Sequence, residues 1–361
     1  SDDVEVQTLT AARLGLRSTI ERTRGERILH IAKLPWPSYR DGNMPMPLKY
    51  AAAHTHRLGG DWKVNVQNLP SGRGGKSNKL RQSLCAPPGH KVVVVDKAQI
   101  ECRICAYICG QGSLLQAFRE HLDPYALMAA HIFGYDINKN QHPIQRFIGK
   151  TAVLGLGYGC GYTRFHAMVL SSARALGVDM DVLKDMWSPQ LAQRAVTTYR
   201  NHNKQIVDRW QWLDGVIKTV WMTGVPHEVR FSPVKITKGR IEGPGGLSMH
   251  YGTPHYDTDI QETRFSYGGR LYNMYGAKML ENIVQFLARI NVMNDAMRIS
   301  DRGFPFVLQA HDELVFIVPD DQVEECREVA LYEMRRPPSW AEDLPLDAEV
   351  SVGQNYGEAK R

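Results

Sequence analysis

The sequence predicts an α+β fold: an antiparallel sheet drawn from distant segments, with long helical stretches between its strands. Three observations carry this expectation. VVVVDKAQIE (Val92–Glu101) opens with four consecutive valines; a half-exposed strand would alternate, so this run asks for burial on both faces, as in a central strand. Far downstream, FVLQAHDELVFIVP (Phe306–Pro319) reads as two apolar strands broken at His311-Asp312-Glu313, a hairpin. Between them, residues 164–221 and 277–297 carry apolar positions at helical spacing.

Length and composition set the frame. The 361 residues suffice for a sizeable core and two or three subdomains. Hydrophobic content of 43% and charged content of 23% are ordinary for a globular protein. No apolar run reaches the roughly 18 residues of a membrane span, and the charged first residues do not read as a signal peptide. A net charge of +6 permits a polyanionic partner without requiring one.

In chain order, residues 11–22 show a polar, arginine-rich helical pattern, and Pro35, Pro37, Pro45 and Pro47 then impose turns. Residues 51–81 shift to Gly, Asn, Gln and basic side chains, with Arg73, Lys76, Lys79 and Arg81 in a glycine- and serine-containing stretch. Such a loop can lay amides and cations along phosphates, although a solvated loop accounts for the same composition.

The valine strand ends on Asp96, where a rigid strand end can aim a carboxylate. A lone acid there usually caps the next helix. Asp312, at the bend of the hairpin, changes that: it could face Asp96 across adjacent strands. Two rigidly held carboxylates can share two Mg2+ ions about 3.5–4 Å apart, an arrangement that clamps the attacking and leaving oxygens of phosphoryl transfer. The helix-compatible run after Asp96 carries Cys102, Cys105 and Cys109 on one face among Ile100, Ile104 and Ile108. With no convincing fourth ligand nearby, these read as small buried thiols of a reduced, intracellular protein, not a zinc site.

Asp123-Pro124 starts a helix with proline at its first position. In RFIGKTAVLGLGYG, Arg146, Lys150, Leu154 and Tyr158 fall at i, i+4, i+8 and i+12, one helical stripe. Two cations one turn apart repel and serve an isolated helix poorly. They become useful together if a triphosphate lies along the stripe, the guanidinium bidentate and the ammonium a point charge. Gly155, Gly157, Gly159 and Gly161 would let the helix end move or let a ligand approach the backbone closely. Trp187, Trp210, Trp212 and Trp221 read as packing residues, and residues 224–269 as hairpins and loops. In residues 277–297, Met279, Ile283, Phe286, Leu287, Ile290 and Met297 trace an apolar stripe, and Lys278, Glu281, Asn282, Gln285 and Arg289 an opposite polar one. A helix and a final strand or loop close the chain.

Taken together, DKAQIECR, RFIGKTAVLGLGYG and HDELV resemble motifs A, B and C of the family-A (DNA polymerase I-like) DNA polymerases, in the right order. HTHRLGG, QNLP, DPYALMA, YGAKMLENIVQ and VGQNYGEAK are similar to the bacteriophage branch, so the likeness runs from about Lys49 to the C-terminus. The resemblance implies a right-hand polymerase core: residues 1–111 as N-terminal segment and first part of the palm, 112–222 as fingers, and 223–361 as hairpin region and second part of the palm. Its activity would be template-directed DNA synthesis in phage replication, in the cytoplasm of an infected bacterium, with primer-template DNA and dNTPs as partners. Two Mg2+ ions, replaceable by Mn2+, would be held by Asp96, Asp312 and the backbone carbonyl of Lys97. So little chain precedes residue 50 that thumb and exonuclease domains are expected to be absent, or to belong to a separate chain.

Residue by residue, the resemblance implies catalytic roles for Asp96, Asp312, Glu313 and Lys150. It implies nucleotide contacts from Arg146, Lys150, Gln99, Leu154, Tyr158, Arg81 and Tyr125, and a Glu101 gate that excludes a ribose 2′-hydroxyl. DNA contacts are implied for Arg57, Gln67, Asn68, Arg73, Lys76, Asn282, Gln285 and His311. The sequence departs from the family at His56 (usually glycine), Lys97 (usually tyrosine), Tyr125 (histidine in cellular relatives), Leu154 (usually aromatic) and Leu247 (usually arginine). A two-metal nuclease would use the same carboxylates without needing the Arg146–Lys150 stripe or Glu101. A catalytically idle polymerase-like subunit would have lost a carboxylate, and both are present.

Overall fold

The computed structural model describes residues 22–34, 44–70 and 78–360. Arg73 and Lys76, the helical pattern before Arg22, and Pro35 and Pro37 lie outside the described residues.

The valine run forms the strand β1 (His90–Lys97), and it is central. It pairs antiparallel on one side with β3 (Glu313–Pro319) and on the other with β4 (Ala348–Gly353), while β2 (Phe306–Ala310) extends the sheet beyond β3. Each face of β1 buries two valines. Val93 and Val95 join Val292, Ala296, Leu314, Phe316 and Met334 under two helices, α9 (Gly276–Asp301) and α10 (Val323–Arg335). Val92 and Val94 join Leu308, Val315 and Tyr356 on the other face. Period-2 alternation then decides where the strand's last residues point: Asp96 continues the row of Val92 and Val94, and Lys97 that of Val93 and Val95. β2, the bend at His311-Asp312 and β3 make the expected hairpin.

Beyond β1, the chain enters α1 (Ile100–Cys109), α2 (Gly112–Arg119), α3 (Pro124–Phe133) and α4 (Pro143–Leu156). Next come α5 (Tyr162–Leu176), α6 (Met180–Met186), α7 (Pro189–His202) and α8 (Lys204–Thr223). Helices α3, α4, α5 and α7 share one core around Ile148, Phe165, Trp187 and Tyr199. Helix α8 instead joins α1 and α9 in a second core that includes Trp210 and Trp221. The tryptophans at 187, 210 and 221 are therefore packing residues, and Cys102, Cys105 and Cys109 are buried along α1. Two small antiparallel sheets fill residues 227–274, as the turn-rich composition predicts.

Two expectations about helices need correction. The stripe through Arg146, Lys150 and Leu154 ends before Tyr158, because α4 stops at Leu156 and Gly157 caps it; Tyr158 lies in the following turn, half-buried against the second core. In α9, Met297 is 55% exposed while Asn282 and Arg289 are 7% exposed each, so the polar stripe is not a free face. A helix clamped between a sheet and other helices buries nearly its whole circumference, and its polar residues must find partners inside.

Candidate active site

A cleft of about 700 Å³ opens where the end of β1 meets α1, α3, α4, α9 and the hairpin bend. Asp96, Gln99 and Glu101 line it from the β1–α1 junction, Asp312 and His311 from the bend, and Tyr125, Arg146, Lys150 and Leu154 from α3 and α4. Arg57, Arg289 and Glu349 complete its charged wall.

Sheet register brings the acids together. Glu313 pairs with Asp96, which puts Asp312 beside the end of β1, and the Lys97 backbone N–H donates to the Asp312 carbonyl at 3.1 Å. The bend needs a left-handed residue, His311, at φ 61°; Gln99 takes φ 47° where β1 turns into α1. Non-glycine residues in that region cost roughly 1 kcal/mol or more each and tend to mark functional turns. Burial and the charge of Asp96 push the Asp312 carboxyl up to about 6, with Lys360 and Arg57 pulling the other way.

Asp96 is flanked in register by Glu313 on β3 and Glu349 on β4. Like charges in adjacent strands repel, and the chain supplies the compensation from its last residues. The Lys360 ammonium bonds both Asp96 and Glu313, and the Tyr356 hydroxyl donates to Glu313 at 2.6 Å. Glu313 is 2% exposed and does not reach the cleft; it supports Asp96 from behind. The Lys97 side chain points away from the cleft, into the layer under α9, where it pairs with Asp295.

The donor set suits a hard, oxygen-seeking cation. Among the described residues no group of three or more His, Cys, Asp or Glu forms a closed metal cage. Mg2+ in phosphoryl-transfer sites is usually held by one or two carboxylates and the substrate's own phosphates. Asp96 and Asp312 supply the carboxylates, Asp312 is raised by burial and by the neighbouring charge of Asp96, and an ammonium already stands on Asp96 as a cation would.

Opposite the acids stands the basic stripe. Asp123 caps α3, its Oδ1 accepting the Tyr125 and Ala126 N–H groups at 3.0 and 3.3 Å, while its Oδ2 accepts from Arg146 Nε. The buried Tyr125 ring lies beneath both cations, 5.5 Å from the Arg146 guanidinium and 5.8 Å from the Lys150 ammonium. Two like charges are thus spread over an aromatic face and one carboxylate, and both still line the cleft. Leu154, one turn on, is 44% exposed. Across the opening, Arg57 pairs with Glu101, which sits on the first turn of α1.

Other residues singled out from the sequence do not face the cleft. The Arg81 guanidinium donates to the Leu69 carbonyl and stacks 4.8 Å from the Tyr356 ring, so the expected triphosphate contact is corrected to a packing role. Gln67 is buried and donates to the Gln309 carbonyl, and Asn282 donates to the Tyr251 hydroxyl at 3.0 Å; neither is open to DNA. Asn68 accepts from His311 at 3.2 Å, beside the bend, and Gln285, half-buried, bonds Glu281 and Thr55. Sequence reasoning gave no site role to Lys360, Tyr356 or Glu349, and placed Arg289 only on the polar stripe of its helix. Lys360 is 264 residues from Asp96, and no local pattern joins them. At His56, where glycine is usual, φ is 61°; its ring Nε2 donates to the Ser248 carbonyl and its own carbonyl accepts from Arg289, which hold the strained residue in place.

Known proteins resemble this chain in sequence and in fold. The family model described as DNA polymerase family A matches residues 35–210. The DNA polymerase of Bacillus phage SP02 is 27% identical over 392 residues, covering 95% of this chain and 56% of that protein. The thermostable DNA polymerase I of Thermus filiformis is 26% identical, covering 89% of this chain and 33% of that protein. Among solved structures, the POL domain of Pol1 from M. smegmatis, in complex with DNA primer-template and dNTP, superposes with a TM-score of 0.67 at 20% identity, over 98% of this chain and 54% of that one. The chain thus spans little more than half of the phage relative and a third of the Thermus one, and it shares the fold of a polymerase domain. With its three motifs gathered around one cleft, the chain resembles DNA polymerase family A over residues 35–210 and has the fold of a polymerase domain.

Proposed function

We propose that this cleft adds deoxynucleotides to a primer 3′ end under the direction of a template strand. One observation carries the reading: strand-held Asp96 and Asp312 confront the Arg146–Lys150 stripe across a single cleft. A nuclease would use the acids but has no need of a cationic stripe lining the same cleft, nor of Glu101 there. The named activities of the phage and Thermus relatives, and the primer-template and dNTP in the M. smegmatis complex, point the same way.

In this reading Asp96 and Asp312, with the Lys97 carbonyl, would hold two Mg2+ ions, whose charge would acidify the primer hydroxyl and offset charge on the departing pyrophosphate. The protein's own groups do the rest. Arg146 grips phosphate oxygens in bidentate fashion, and Lys150 lies a turn deeper to neutralise charge that grows as the P–O bond breaks. Glu101 borders the sugar and excludes a 2′-hydroxyl, Leu154 packs near the nascent base pair, and Tyr125 lies beside the cations that take the triphosphate. Arg57, His311 and Asn68 flank the primer end. Residues 112–222 act as fingers, and the sheet segments from 1–111 and 223–361 as palm. A role in phage DNA replication, inside an infected bacterium, is the biological setting proposed.

A primer-extension assay with Mg2+ tests it. Lengthening of the primer is expected, and Asp96→Ala or Asp312→Ala should abolish it in a folded protein. Primer shortening, or extension that survives either substitution, would overturn the reading.

A further inference from the structure

Lys97 is an unexpected residue in an unexpected place. It continues the buried row of Val93 and Val95, is fully buried, and pairs with Asp295 of α9, which is also fully buried. The pair is the inner end of a longer chain of charges. Asp295 bonds Arg298, Arg298 Nε donates to Glu333 of α10 at 2.7 Å, and Glu333, 1% exposed, meets Arg302 at 2.9 Å and Arg336 at 3.6 Å near the surface. Alternating charges therefore run from the end of β1, through two helices, to solvent.

Stability alone does not explain such a chain. Desolvating two ions usually consumes what their attraction returns, and apolar residues of similar volume often do as well. Val93 and Val95 show that this face of β1 accepts apolar side chains. What the ions add is a fixed position, and Lys97 is where position matters. Its backbone N–H holds the Asp312 carbonyl, its neighbour is Asp96, and its side chain is tied to α9. Three residues before Asp295, Val292 lines the cleft, as do Ala288 and Arg289 on the preceding turn. One residue thus links both acids to the helix that walls their cleft.

We propose that Lys97 and Asp295 are positioning residues: their buried ion pair sets the separation and aim of the Asp96 and Asp312 carboxylates, and through these the affinity for divalent cations. The inference rests on the two-carboxylate reading above. In chemistry of this kind, a misplacement of about 1 Å can lower the rate about a hundredfold.

The test uses the full chain and two variants. Asp295→Asn keeps shape and removes one charge; Lys97→Met with Asp295→Leu removes both and leaves no buried ion unpaired at that point. Mn2+ binding is read by electron paramagnetic resonance without nucleotide, thermal midpoint by calorimetry, and kcat and KM by single-nucleotide addition. The double variant is expected to melt within a few degrees of the parent, yet to bind Mn2+ at least tenfold more weakly and to lose at least tenfold in kcat with KM for dNTP nearly unchanged. Asp295→Asn should show the same loss in Mn2+ affinity and kcat. Parent-like Mn2+ affinity and kcat in either folded variant would overturn the proposal, leaving the network a packing device. Asp96→Asn and Asp312→Asn, run alongside, separate this from failure of the underlying reading: if those retain Mn2+ binding and extension, the acids themselves have been misassigned.

Discussion

Asp312 offers a sharp quantitative test of the site. Its carboxyl is pushed up to about 6 from the ordinary 3.8 by burial and by the charge of Asp96. With that value it is about nine-tenths ionised at pH 7 and about one-tenth at pH 5, and a metal ligand must be ionised. The apparent dissociation constant for Mn2+, measured in the absence of nucleotide, should therefore rise about tenfold between pH 7 and pH 5. The two acids titrate as a pair, so Asp96→Asn should move the step to lower pH, and Asp312→Asn should bind weakly with no step near pH 6. Stability of the metal-free protein should run the opposite way to metal affinity. A carboxyl whose folded pKa is raised favours the neutral form in the fold. Its stabilising contribution is complete below about pH 4 and is lost as pH rises through about 6, so the melting temperature falls across that window and Mg2+ restores it. Affinity that stays flat from pH 7 to 5, or a step that persists in Asp312→Asn, would refute the reasoning.

Further expectations concern the opposite wall and the surrounding core. Arg146→Ala should raise KM for dNTP by roughly tenfold to a hundredfold, the loss of a charged hydrogen bond worth about 1.5–3 kcal/mol, and Lys150→Ala should lower kcat by a similar factor; parent-like kcat and KM in both variants in steady-state extension would remove the stripe from the nucleotide site. Glu101→Ala should raise ribonucleotide incorporation relative to deoxynucleotide about tenfold or more in competition assays, with little change in Mn2+ affinity. Asp123→Ala removes both the cap of α3 and the tether of Arg146, so calorimetry should show a loss of about 1 kcal/mol and kinetics a raised KM together. Tyr251→Phe strands the Asn282 amide in the core and should cost about 1–3 kcal/mol, while DNA affinity by filter binding stays at the parent value; a selective loss of DNA affinity would return Asn282 to the interface.

The sequence by itself determined what is local or repeats at a strand or helix period. Four valines can only be satisfied between two packed faces, and Asp-Pro can start a helix but not continue one. Arg146, Lys150 and Leu154 share a stripe because helical geometry leaves no other option. Those constraints located the central strand, the hairpin, the basic helix and, with the motif likeness, the two acids. Only the tertiary structure decided which polar residues the packing would consume. Gln67, Arg81 and Asn282 read as ligand-facing, yet each is buried on a partner from another segment, because a close-packed interior must pair every polar group it encloses. The same holds for the residues that serve the site from a distance. Lys360 reaches Asp96, and Asp295 reaches Lys97, across separations that carry no period, so those contacts exist only once the sheet and α9 have brought the segments together.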